Sequence, residues 1–159
     1  MASPEQLAAL KTIYGEAKLS SHIFPEMAAC EAMVETTWLT SKLGLNYKNL
    51  FGAKQSVDAP IFQTVVMPTW EIIHGQHVNI LAKFVQFPSY ADSFNARMET
   101  LDRLKFQYQA YSDALAATSP EDFVTSVSRA WSTDPTRASQ CIAIYHAHRD
   151  IFALAMDVA

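Results

Sequence analysis

The chain predicts a mainly helical α+β fold, a helical domain with one small β-hairpin lobe flanking a cleft. Three observations predict it. Helix-start signatures with an early proline recur at Ser3-Pro4-Glu5-Gln6, Phe24-Pro25-Glu26, Ser119-Pro120-Glu121-Asp122 and Thr133-Asp134-Pro135. Apolar residues recur at helical spacing on both sides of the chain's middle. One stretch, residues 57–87, is rich in β-formers instead. The 159 residues, half of them hydrophobic, suffice for one core. No low-complexity segment divides them, so residues 1–159 read as a single domain.

In the first helix Ser3 caps, Pro4 takes the first helical position and Gln6 completes a capping box; the helix should reach about Lys18. In the second, Met27, Cys30, Val34 and Trp38 form one buried stripe. At ~100° per residue, Glu31 falls on the flank of that stripe and Glu35 at its edge. Gly44 and residues 46–52 end the helical region. In the β-lobe, Pro60 and Pro68 bracket residues 61–67, and His74-Gly75-Gln76 turns residues 70–73 back into 77–84 as a hairpin. Helix returns over residues 89–106, with Phe94, Met98, Leu101 and Leu104 as its core face. A further helix carries Phe123, Val124 and Val127. A last one, with Asp134 as cap and Pro135 at its first position, carries Ile142, Tyr145, Ile151 and Phe152.

The formal net charge of -4 argues against nucleic-acid binding, which needs a basic surface. No apolar run approaches the ~18 residues of a membrane span. The N-terminus has no basic region followed by an apolar core, so no signal peptide is expected and synthesis in the cytoplasm is. Cys30 and Cys141 form neither a metal motif nor a CxxC pair, and Cys30 reads as a buried free thiol rather than half of a disulfide. His74 with His77, and His146 with His148, lack the further ligands a metal site needs. No metal, no cofactor and a monomeric state are the expectations.

Glu35 stands out. It is a carboxylic acid at a helix end, in Val34-Glu35-Thr36-Thr37-Trp38, facing the turn-rich loop Asn49-Leu50-Phe51-Gly52. A glycosidase presents its general acid in this way. Partial burial and the like charge of Glu31 four residues earlier are expected to favour the protonated carboxyl. Trp38 reads as structural, Asn49 and Phe51 as shaping the loop under the cleft, and Trp70 as β-lobe packing on the face opposite Glu71.

Four segments together resemble glycoside hydrolase family 73, peptidoglycan-cleaving endo-β-N-acetylglucosaminidases of lysozyme-like fold. They are Ala32-Met33-Val34-Glu35-Thr36-Thr37-Trp38 with Ser41; Asn49-Leu50-Phe51-Gly52-Ala53-Lys54; Thr69-Trp70-Glu71 with the hairpin and Phe84-Val85-Gln86-Phe87-Pro88-Ser89; and Ala130-Trp131-Ser132-Thr133-Asp134-Pro135. The resemblance covers about residues 19 to 144. It implies peptidoglycan glycan strands as the partner, cut at the β-1,4 bond after N-acetylglucosamine, with Glu35 as the acid. It implies Glu71 as the second carboxylate, with Asp58 as the fallback and otherwise a substrate contact. The substrate's own acetamido group is the third alternative. Trp131, Asn49 and Phe51 complete the expected substrate-binding set, with Trp131 as a sugar platform.

The chain departs from the family pattern at four places. Trp131 stands where the family has a tyrosine, and an indole has no phenolic oxygen. Thr36-Thr37 replaces Ser-Gly, Leu39 replaces a glycine, and Val85 replaces an arginine. The alternatives are a muramidase of the same fold, or a glycan-binding protein that has lost catalysis. A phage endolysin or delivered effector, acting on the bacterial wall, is the expected setting.

Overall fold

The computed structural model of the chain describes residues 1–55 and 62–157. Asp58 lies outside the described residues. Eight helices and two strands are described: α1 Pro4–Leu19, α2 Pro25–Glu35, α3 Lys42–Tyr47, β1 Thr64–Ile73, β2 Gln76–Val85, α4 Tyr90–Leu104, α5 Gln109–Leu115, α6 Pro120–Trp131, α7 Arg137–Ala147 and α8 Arg149–Asp157. The mainly helical body with one β-hairpin is the architecture expected.

The first helix forms as the sequence requires. Gln6 N donates to Ser3 Oγ at 3.1 Å, and Ser3 N donates back to Gln6 Oε1 at 2.9 Å. The second helix is the centre of the body and packs against α1, α6 and α7. It is buried all round, from Met27 through Met33, and its alanines let three neighbours approach. The one-sided stripe expected for it is therefore too narrow. Glu31, expected on the flank, is fully buried.

The second helix ends at Glu35, so Trp38 does not continue its stripe. Thr37, Trp38 and Leu39 take positive φ of 50°, 57° and 63°, a single left-handed turn. Thr36 holds that turn: its Oγ1 donates to Ala32 O at 2.7 Å and accepts from Leu39 N at 2.8 Å. A left-handed backbone costs a residue with a Cβ about 1–2 kcal/mol. Thr37 and Leu39 are the two positions where the family pattern has glycine. The side chain of Trp38 is partly buried and meets His148 edge-on at 6.2 Å.

Gly44 does not end the helical region. It lies inside α3, buried, because a Cβ there would stand 2.7 Å from Thr36 Cγ2. In the β-lobe, β1 and β2 pair antiparallel from Thr64↔Val85 to Ile73↔Gln76, closed by the two-residue turn His74-Gly75 with φ of 51° and 76°. Both values are positive, as a type I′ turn requires. Pro68 does not bracket a strand. It lies within β1 opposite Leu81, on the register where its nitrogen faces away from β2. Trp70 and Glu71 point to opposite faces, as expected, but Trp70 is 56% exposed, with its ring stacked on His77 at 4.8 Å. The face it shares with Val66, Ile72 and Leu81 points outward.

After Trp131 the chain differs from expectation at one cap. Asp134 Oδ1 accepts from Thr136 N at 2.8 Å and closes a turn, so Pro135 precedes the helix and α7 starts at Arg137. The single last helix expected is two, α7 and α8, broken at His148. Phe152 of α8 returns to the core, edge-on to Tyr14 at 4.9 Å. Cys30 and Cys141 are both buried free thiols.

Because Thr36 is fixed by two hydrogen bonds, it cannot rotate away from a new methyl group at position 44. Gly44→Ala should destabilise the protein by about 1–3 kcal/mol in urea unfolding, the usual cost of overpacking. Gly44→Ala combined with Thr36→Ser, which removes the clashing methyl, should recover part of that loss. A Gly44→Ala protein as stable as the parent would contradict the packing described.

Candidate active site

Glu35 and Glu31 lie one turn apart on α2 and have opposite fates. The Glu35 side chain is 28% exposed, whereas that of Glu31 is sealed in the core. Glu31 is tolerated there because two guanidinium groups converge on it. Arg97 of α4 donates from Nη1 at 3.1 Å and Nη2 at 2.7 Å, one to each carboxylate oxygen. Arg137, the first residue of α7, approaches Glu31 Oε2 with Nη1 at 2.9 Å. Arg137 also donates from Nε to Glu35 Oε1 at 2.8 Å and from Nη1 to Ser128 Oγ at 2.8 Å.

The four charges sum to zero, which is what makes their burial affordable. Burial pushes the Glu31 carboxyl up, but Arg97 and Arg137 outweigh it and hold the group at about 2. Burial pushes Arg137 down, but Glu31 and Glu35 outweigh it and fix the guanidinium charge. The Glu31 charge is therefore matched by two arginines, one of which also pairs with Glu35. Glu35 Oε1 is occupied by Arg137, while Oε2 accepts no hydrogen bond among the described residues.

His22 belongs to the same network. Its Nδ1 lies 2.6 Å from the carbonyl of Ile23 and therefore carries the proton, leaving Nε2 to accept from Arg97 Nη1 at 3.1 Å. Burial, then the Arg97 charge, lower its pKa to about 4, so the ring is neutral. Burial also makes both thiols poor nucleophiles: Cys30 is raised, and Cys141 is pushed up to about 12.

The expected substrate residues divide. Trp131, the last residue of α6, covers the Arg97 guanidinium with one face at 4.5 Å. It meets Phe51 edge-on at 6.1 Å and Tyr111 at 6.0 Å. Trp131, Phe51 and Tyr111 line one cavity of about 340 Å³. Asn49 is not available to a ligand. It is buried, and its amide bonds Ala53 O, Val85 O and Ala53 N, all at 2.9 Å, clamping the loop to the end of β2. Glu71 stands on β1 with Oε1 2.9 Å from Lys54 Nζ, both side chains about half exposed. No hydrogen bond or ion pair joins Glu71 to Glu35. Among the described residues no group of three or more His, Cys, Asp or Glu side chains is placed to hold a metal.

Arg97, Arg137 and Tyr111 were not singled out from the sequence. A signal existed for two of them. Arg97 interrupts the apolar face formed by Phe94 and Leu101, and Arg137 precedes the buried Cys141 by one helical turn. A charge on a buried stripe implies a buried counter-charge.

The family model described as mannosyl-glycoprotein endo-beta-N-acetylglucosaminidase matches residues 11–150. The chain belongs to this glucosaminidase family. It is thereby a glycoside hydrolase domain, and the resemblance to glycoside hydrolase family 73 holds. Among curated relatives, an autolysin of Enterococcus faecalis is 31% identical over 74% of the chain and 16% of the relative. The exo-glucosaminidase LytG of Bacillus subtilis is 26% identical over 88% of the chain and 50% of the relative. The chain thus spans half or less of the length of these relatives. Among solved structures, the catalytic domain of the autolysin Auto from Listeria monocytogenes superposes with a TM-score of 0.78 at 24% identity, covering 94% of this chain and 87% of that one. A C-terminally truncated glycoside hydrolase domain of FlgJ from Salmonella typhimurium gives 0.66 at 20% identity, covering 94% and 99%. The shared fold is lysozyme-like.

Two measurements test the buried network of this glucosaminidase-family domain. Glu31→Gln leaves the buried Arg97 guanidinium without a carboxylate and Arg137 with Glu35 alone, and should cost about 3–5 kcal/mol in urea unfolding; an unchanged midpoint would mean that the network contributes nothing. Stability should also fall with pH. Between pH 6.5 and about 4 the unfolded chain takes up a proton on His22 that the folded protein refuses, a loss of up to about 3 kcal/mol. A second loss follows from pH 4.5 down to about 2, as Glu31 protonates first in the unfolded chain. His22→Gln should flatten the upper part of this profile only.

Proposed function

We propose that this domain hydrolyses peptidoglycan at the β-1,4 bond after N-acetylglucosamine, with Glu35 as general acid. The observation that carries the reading is the setting of Glu35. It is a partly exposed carboxyl at the end of the central helix, gripped by Oε1 and open at Oε2, in a glucosaminidase-family domain. Oε2 gives its proton to the glycosidic oxygen as the bond from the anomeric carbon to that oxygen breaks. The carboxylate left behind is stabilised by Arg137 Nε.

Glu71 is the second carboxylate in this reading. It would meet the oxocarbenium-like charge or take the proton of the attacking water, once Lys54 gives it up. An exposed ion pair of that kind is worth at most about 1 kcal/mol, so its release is cheap. The acetamido oxygen of the substrate is the alternative to Glu71. Peptidoglycan as substrate is supported by relatives named as an autolysin and an exo-glucosaminidase. No described helix is long and apolar enough to cross a membrane.

Purified cell-wall sacculi provide the test. The parent should release reducing ends, and Glu35→Gln should lower the rate by about 10²–10⁴-fold while keeping the parent's circular dichroism and unfolding midpoint. A folded Glu35→Gln protein with parental activity would remove Glu35 from the mechanism. After borohydride reduction, mass spectrometry should find reduced N-acetylglucosamine at the new ends. Reduced muramic acid there would make the domain a muramidase.

A further inference from the structure

The cavity beside Trp131 has a composition that the proposed chemistry does not use. Its aromatic walls are Phe51, Tyr111 and Trp131, contributed by the loop before the β-lobe, α5 and α6. Its charged residues are Lys54, Arg97 and Arg103, and no carboxylate lines it among the described residues. This is a local reversal of sign in a chain of net charge -4. The three cations are not equivalent. Glu31 neutralises Arg97 in the core, and Glu71 holds Lys54 at the rim. Arg103 is exposed and has no ion-pair partner among the described residues. Within the wall, Arg97 Nε is buried without a hydrogen-bond acceptor among the described residues.

Apolar ring faces suit the C–H face of a pyranose, and an unpaired guanidinium beside them suits a carboxylate. A neutral chitin-like glycan would use the walls and leave Arg103 idle. We propose that this cavity seats a carboxylate-bearing sugar unit of the substrate, the muramyl residue, with its ring against Trp131, the least buried of the three aromatic walls, and the acid of its lactyl-peptide arm on Arg103 at the rim beside Lys54. This assignment rests on peptidoglycan being the substrate. It makes Arg103 a specificity residue that distinguishes muramyl glycan from neutral N-acetylglucosamine polymer.

Direct binding separates this inference from the catalytic one. Catalytically disabled Glu35→Gln protein is titrated with N-acetylglucosaminyl-N-acetylmuramic acid, with the same disaccharide carrying its stem peptide, and with neutral chitobiose, by calorimetry. At least one muramyl ligand should bind more tightly than chitobiose. Adding Arg103→Gln should weaken that ligand about tenfold or more, the worth of a charge-assisted hydrogen bond. Chitobiose affinity should not change, and Arg103→Lys should retain part of the preference. The peptide-free disaccharide carries a lactyl carboxylate and the peptide-bearing one carries stem carboxylates, so the stronger of the two identifies the acid that is read. Equal binding of all three ligands, or equal loss for muramyl ligand and chitobiose on Arg103→Gln, would overturn the assignment. Failure of the parent protein to hydrolyse sacculi would instead count against the proposed function, and the binding series would still report on the cavity.

Discussion

The grip of two arginines on one buried carboxylate organises this molecule. Glu31 sits inside the central helix, where an unpaired charge would be prohibitive. It is satisfied only because α4 brings Arg97 and α7 brings Arg137 to it. Three helices distant in sequence are thus fixed in register by one ionic contact as well as by apolar packing. The consequence for the proposed acid is positional. Arg137 reaches past Glu31 to Glu35, so the same guanidinium that closes the core aims the carboxyl at the end of the helix.

The second half of the site is built differently. The β-lobe is two long strands with few contacts to the helices, and polar clamps attach it. Asn49 joins its base to the loop before it, and Lys54 ties that loop to Glu71. One carboxylate of the proposed pair is therefore held by the core and the other by an exposed, exchangeable ion pair. That asymmetry matches the two proposed jobs: an acid needs a fixed address, and its partner needs to respond to what enters the cleft.

Much of the fold was legible because it is written in local chemistry. The capping box at Ser3, the early prolines of α1, α2 and α6, and the glycine-bearing turn of the hairpin each specify structure within a few residues. The errors arose where tertiary contact overrode local preference. Gly44 reads as a breaker but is a packing glycine under Thr36. Trp38 reads as helical because its spacing fits, yet a left-handed turn carries it off the helix axis. Glu35 could be picked out by its place at a helix end. Its setting could not, because Arg137 lies 102 positions away in the sequence. Asn49 was found for the right loop, but its amide is consumed by that loop.

A projecting two-stranded hairpin carries a hazard that its sequence has met. Among the described residues one edge of β1 has no neighbouring strand, and such an edge is a template on which other chains can assemble. Pro68 sits midway along it, with its nitrogen on the open side. It has no hydrogen to donate, so it cuts the free edge into two stretches too short to recruit a partner strand. The lobe can thus be long enough to reach over a polymer without becoming the seed of one.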